Sequence, residues 1–152
     1  MTVGLCWQGS PLHRNDRNRS LPRGVLAPLA QVAGVTWLSL CKEGWSPELG
    51  QLGLLNGMEG CADWMDTAQV IANLDLVVTV DTAVAHVAGG LGVPVWILIP
   101  AVPDLRWGLG GSRTPWYQSA RLYRQQKAGE WGPVIESICR DLTTLVAERN
   151  AA

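Results

Sequence analysis

Apolar residues along this chain fall into short blocks that alternate between two periodicities. Val3–Trp7, Val35–Leu40, Leu76–Val80 and Val93–Ile99 are near-continuous apolar runs rich in β-branched residues, the pattern of strands buried on both faces. Two weaker runs, Leu54–Met58 (interrupted by Asn56 and Gly57) and Ala120–Tyr123, bring the count to about six strands. Between them the spacing changes to that of a helix. Val25, Leu26, Leu29 and Val32 make one stripe in a helix predicted over Leu21–Val32, with Ser20 as its cap and Pro22 in its first turn. A short helix is predicted from Ser46 or Pro47, and another over Thr67–Asn73 capped by Asp66. Val84, Val87, Ala88 and Leu91 form the stripe of a third helix. Val134, Ile135, Ile138, Leu142, Leu145 and Val146 form that of a long closing helix over Glu130–Arg149. Strands alternating with helices in this way predict an α/β fold: a doubly wound, mostly parallel Rossmann-like sheet with helices on both faces.

The most ordered stretch is Leu74–Gly90, a strand, a one-residue turn and a helix. Asp81 is placed either to cap that helix or to meet a ligand directly. Thr82, His86 and Gly89 lie opposite the apolar stripe, free to face a cleft, although His86 fits a structural contact as well. Doubly wound sheets bind ligands outside the carboxyl ends of their strands. The polar loops Gly9–Ser20, Cys41–Gly44, Asp81–Thr82 and Pro100–Ser119 all follow strands, so they are expected to converge on one edge. The last of them is long, and by its length suited to function. Its Trp107, Trp116 and Tyr117 could stack a base or pack against the sheet.

Length and charge narrow the classes. At 152 residues the chain is expected to be one domain. Its net charge of −1 argues against a nucleic-acid partner held by bulk charge. The cations are nonetheless uneven, since Arg14, Arg17, Arg19 and Arg23 crowd one loop. Cys6, Cys41, Cys61 and Cys139 have no metal-ligand spacing among themselves or with the histidines, so no metal site is expected. Cys6 and Cys41 read as small buried hydrophobes in a reducing compartment. No charged, cleavable leader precedes Val3, and no apolar run reaches the ~18 residues of a membrane span, so a cytoplasmic protein is expected.

The chemistry then follows from donors. One loop offers Ser10, His13, Arg14, Arg17 and Arg19, and another offers a helix N-terminus with Thr82. Arginine forks and free helix-end N–H groups both suit a diphosphate. Glu43 could accept hydrogen bonds from a ribose, which points to a nucleotide. The first strand carries no G-x-G-x-x-G, and the chain has no G-x-x-x-x-G-K-[ST]. A nicotinamide-type site and a P-loop NTPase are therefore disfavoured.

Asp81-Thr82-Ala83-Val84-Ala85-His86-Val87-Ala88-Gly89 resembles the D-[TS]-x-x-x-H-x-A signature of the heptosyltransferase-like (family 9) glycosyltransferases. Trp7-Gln8-Gly9 with His13–Pro22, Pro100–Trp107 and Ser112–Tyr117 resemble the relatives fused to tetratricopeptide repeats. The resemblance runs from Val3 to about Gln125 and implies the carboxyl-terminal, donor-binding half of a GT-B fold. It places Thr82 and the Ala83 amide on the diphosphate of a nucleotide sugar, with Arg19; the residues themselves add Ser10, Arg14 and Asp81 as expected donor-site neighbours. Lys42 and Glu43 fall near the nucleoside, and His86 by the donor sugar or the cleft. It implies no bound metal and no cofactor beyond the sugar-nucleotide donor, because cationic groups and a helix N-terminus stabilise the departing diphosphate. The general base for the acceptor hydroxyl would come from an amino-terminal acceptor domain that is not in residues 1–152. A Rossmann-like or tetratricopeptide domain, in cis or in trans, is the partner so implied, and a homo-oligomer is open. The rival reading is a truncated, non-catalytic binding or interaction module. A sugar-nucleotide epimerase-like relative shares the architecture but has no motif here.

Overall fold

The computed structural model describes residues 1–151. Six strands form one sheet: β1 (Thr2–Cys6), β2 (Thr36–Ser39), β3 (Leu54–Asn56), β4 (Leu76–Val80), β5 (Val95–Ile99) and β6 (Ala120–Arg124). Their order is β3-β2-β1-β4-β5-β6, and every pairing is parallel. β4 and β5 are buried along their whole length, as their unbroken apolar sequence requires. This is the doubly wound order, and its winding reverses between β1 and β4, paired with Leu5 opposite Val78.

The helices are α1 (Asp16–Arg19), α2 (Ala27–Ala30), α3 (Pro47–Gln51), α4 (Trp64–Ala72), α5 (Ala83–Gly90) and α6 (Gly132–Ala151). α2 packs on α6 and α4 packs on α5. Right-handed crossovers put these two pairs on opposite faces of the sheet.

Three predicted helices differ in the structure. The one expected over Leu21–Val32 is a 3₁₀ turn at Arg23–Val25 followed by the single turn of α2. Pro28 lacks an N–H and its ring crowds the carbonyl four residues back, so a continuous helix cannot pass it. Leu26, Leu29 and Val32 are still buried as the stripe required. Ser20 caps no helix; it closes α1, and its hydroxyl donates to Asp16 Oδ1 at 3.0 Å.

The helix expected from Thr67 begins one turn earlier. Asp63, not Asp66, caps α4, accepting from the Met65 and Asp66 amides, while Asp66 reaches back to the Asp63 amide in a capping box.

Asp81 likewise does not cap α5. Thr82 holds the cap position, extended, and no side chain caps the first turn. The buried face of α5 is Val84, Ala85 and Ala88, with Val87 partly covered and Leu91 exposed. Leu91 lies past the last turn, where Gly92 (φ 73°) takes the left-handed position. The Val93 amide returns to Ala88 O at 3.0 Å, closing a Schellman motif.

Candidate functional site

Two adjoining hollows open at the carboxyl ends of the strands, around the β1/β4 switch point. The first, about 370 Å³, has Cys6, Cys41 and Thr82 in its lining, Gln8–Pro11 on one side, and Lys42, Glu43 and Trp64 on the other. The second, about 530 Å³, lies beyond the Thr82–Ala83 turn and is lined by Asn15, Asp81, His86 and the Val102–Arg106 loop. Arg19, Thr82 and Ala83 line both. All four polar loops therefore meet at one edge.

Arg19 reaches this position through a chain of contacts set by the β1 loop. The Gly9 amide donates to Ser20 Oγ, Ser20 Oγ donates to Asp16, and Asp16 Oδ1 pairs with Arg19 Nε at 3.2 Å. Arg19 Nη1 then donates to the Asp81 carbonyl at 2.7 Å, spanning the switch point. Gly9 leaves the room the guanidinium occupies, since a Cβ there would run into Arg19 Nη2. The pair is largely sheltered, with side chains 12% and 18% exposed.

The start of α5 forms the shared wall. Its first amides have no acceptor within the helix, and no side chain takes that role. The Thr82 hydroxyl lies 3.2 Å from Thr79 Oγ1 and 3.8 Å from Cys6 Sγ. Ala83 and Val84, at this uncapped helix start, line the first hollow beside the Arg19 guanidinium, an arrangement that attracts an anion.

The second hollow is built differently. His86 Nδ1 is 2.8 Å from Tyr117 Oη, and His86 Nε2 is 3.0 Å from Arg106 Nη1. A guanidinium can only donate, so Nε2 accepts and the proton sits on Nδ1, which donates to Tyr117. Burial, and then the Arg106 charge, hold the imidazole below the ordinary histidine value. Arg106 is also clamped by Asp104, at 2.8 and 3.2 Å. Trp107, fully buried, stacks on His86 with ring centroids 5.5 Å apart. Tyr117 covers Gly89, whose missing side chain makes space for the ring. Gly89 is therefore covered, whereas His86 lines the second hollow with both ring nitrogens engaged. Arg124 Nε, Nη1 and Nη2 donate to the carbonyls of Gly111, Gly108 and Gly110, fixing the long loop that carries Arg106.

The other expected residues divide. Ser10 lines the first hollow, with its Oγ accepting from the Leu12 amide in a turn. Lys42 donates to the Ala62 carbonyl at 3.1 Å, and the Glu43 carbonyl accepts from Gln8 Nε2 at 2.8 Å. Both line the same hollow. Arg14 lines neither hollow and is exposed, because the turns from Ser10 to Asp16 carry it past the site. Gln8, Arg106 and Trp64 also line the hollows; the first two lie in the stretches Trp7-Gln8-Gly9 and Pro100–Trp107, but no site role is expected for any of the three from the sequence. The length of the Pro100–Ser119 loop was the signal available for Arg106, whereas nothing local marks Trp64. Among the described residues no cluster of His, Cys, Asp and Glu has the make-up of a metal site, and no helix is long and apolar enough to cross a membrane.

The stretch from the cap of α4 to the residue before α6 decides the likeness. Residues 63–131 match the family model of glycosyltransferase family 9 (heptosyltransferase). That match takes in α5, His86 and the Arg106 loop, and leaves the β1 loop outside. The chain is also similar to Protein FlbA of Caulobacter vibrioides, 28% identical over 153 residues, which is 95% of this chain and 25% of that protein. It spans about a quarter of the length of that relative. Its fold matches the structure of E. coli ADP-heptose lps heptosyltransferase II with a TM-score of 0.66 at 19% identity, over 98% of this chain and 47% of that one. The expected α/β, doubly wound architecture is the fold found, and it corresponds to about half of that solved chain.

Proposed function

We propose that this chain is the donor half of a family 9, GT-B-type glycosyltransferase, binding a nucleotide-diphosphate sugar for transfer to an acceptor hydroxyl. One observation carries the reading: Arg19 and the uncapped start of α5 line both hollows together. The diphosphate would sit at that shared wall, on the Ala83 and Val84 amides, the Thr82 hydroxyl and the Arg19 fork. Asp81 would serve through its carbonyl, which holds Arg19 in place. The nucleoside would lie in the first hollow by Lys42 and Glu43, with Ser10 towards the diphosphate, and the sugar in the second, beside His86. As the bond to the sugar breaks, charge grows on the diphosphate, and preorganised donors lower that barrier without a metal ion.

The family match and the fold match support this reading. The acceptor and its general base are assigned to a companion domain, Rossmann-like or tetratricopeptide, in cis or in trans. Transfer by this chain alone is accordingly not expected.

The test is a melting series with UDP, ADP and GDP sugars. A ligand at ~100 times its Kd adds about 2.7 kcal/mol, or on the order of 5–10 °C for a chain of this size. Arg19→Ala should weaken nucleoside-diphosphate binding about 10–100-fold, the worth of a charged hydrogen bond, and leave free nucleoside almost unchanged. No shift with any sugar nucleotide would overturn the reading; equal losses for diphosphate and nucleoside would remove Arg19 from the phosphates.

A further inference from the structure

The floor of the first hollow carries two thiols that donor binding does not use. Cys6 closes β1 and Cys41 follows β2, the neighbouring strand, so the parallel pairing sets them side by side. Cys41 Sγ donates to Cys6 Sγ across 3.8 Å, and both residues are buried yet line the hollow. Neither is paired in a disulfide. We propose that Cys6 and Cys41 form a redox-active dithiol, closed to a disulfide by a hydroperoxide that enters through the hollow.

The geometry favours that outcome over separate damage to each sulfur. Disulfide sulfurs are about 2.05 Å apart, so the pair must close by roughly 1.8 Å, a movement that two side-chain rotations can share. In the first step the Cys6 thiolate attacks one peroxide oxygen. The O–O bond breaks, hydroxide (or alkoxide) leaves, and Cys6 becomes a sulfenic acid. Cys41 then attacks that sulfur, its proton leaves with the departing oxygen as water, and the S–S bond forms. Two thiols lose two electrons and two protons, and the peroxide takes up both.

The sulfurs are not equivalent. The hydrogen bond from Cys41, with the hydroxyls of Thr82 and Thr79, holds the Cys6 thiol below its ordinary value against the effect of burial, whereas burial pushes Cys41 up. Cys6 is therefore the attacking thiol and Cys41 the resolving one. Among the described residues no hydrogen bond joins Cys61 or Cys139 to another thiol: Cys61 Sγ contacts the Gly57 carbonyl, and Cys139 lies on α6. Oxidation would also draw Cys6 Sγ towards Cys41 and away from Thr82 Oγ1.

Peptide mapping of the folded protein tests the proposal without any nucleotide. Trypsin places the four cysteines on separate peptides, with Cys6 in residues 1–14 and Cys41 in residues 24–42. After brief hydrogen peroxide treatment and blocking of free thiols, these two peptides should run as one species, lighter by two hydrogens and separated by dithiothreitol. A Cys61→Ser/Cys139→Ser variant should give the same link and lose both titratable thiols. Phenylarsine oxide, which bridges only adjacent thiols, should bind that variant one to one and protect it. Sulfinic acid on Cys6 beside a free Cys41, or two unreacted thiols in the folded chain, would overturn the proposal.

Discussion

The two hollows share a wall but spend their polar groups in opposite ways. In the second, His86, Arg106 and Asp104 satisfy one another, and Arg124 fastens the loop that carries them. In the first, the opening amides of α5 have no cap, and Lys42 uses one of three donor protons on the Ala62 carbonyl. Buried polar groups are ordinarily paired. Donors left open on a cavity wall are thus the ones available to a ligand, whereas a closed network supplies shape. The comparison assigns affinity to the shared wall and the first hollow, and positioning to the second.

The strongest way to break that division is Gly89→Ala. A Cβ there would meet the Tyr117 ring, and Tyr117 holds His86. Overpacking of this kind costs about 1–3 kcal/mol, which calorimetry would read as a lower melting midpoint. Nucleoside-diphosphate affinity should change by less than about twofold, below 0.5 kcal/mol, because the α5 amides are unaffected. A comparable loss of affinity would mean that the two hollows act as one unit.

Asp63→Ala comes next. It removes both amide contacts of the α4 capping box, worth about 1 kcal/mol, and frees the first turn that carries Trp64 onto the rim of the first hollow. Chemical denaturation should show the loss, with the His86 network intact by NMR.

A smaller effect is a pH slope belonging to the second hollow. His86 is held below its ordinary value of 6.5 by burial and Arg106. The unfolded chain therefore binds its proton more readily than the folded one. The stability that follows is fully present above about pH 6.5 and is lost as pH falls below it. His86→Phe should flatten that part of the stability–pH curve; an unchanged slope would assign it to another group. Smallest of all, Arg14→Ala should leave melting within about 0.5 kcal/mol of the parent and binding unchanged, since Arg14 lines neither hollow.

The sequence carried the sheet because buried parallel strands must be apolar throughout, and Leu76–Val80 and Val95–Ile99 could hardly be anything else. Helix starts were less legible. Asp63, Asp66 and Asp81 are all good caps by type, and only the path of the backbone shows that Asp63 caps, Asp66 answers it and Asp81 does neither. Pro28 was visible in the sequence, and the apolar stripe hid its consequence. Arg19 could be chosen from its motif, but its route to the site, through Ser20, Asp16 and the Asp81 carbonyl, is long-range. The same holds for Cys6 and Cys41, whose adjacency is a product of strand order, and for Arg106, which reaches His86 across 20 residues of chain.

The most direct measurement is an amide NMR titration of the folded chain with a nucleoside diphosphate, followed residue by residue. The account predicts the largest shifts at the Ala83 and Val84 amides, with the Arg19 side-chain N–H signals moving in step and the Arg14 signals still. Saturation of binding with Ala83 and Val84 unmoved, or with the shifts gathered around Arg124 and Lys127 at the end of β6, would contradict it.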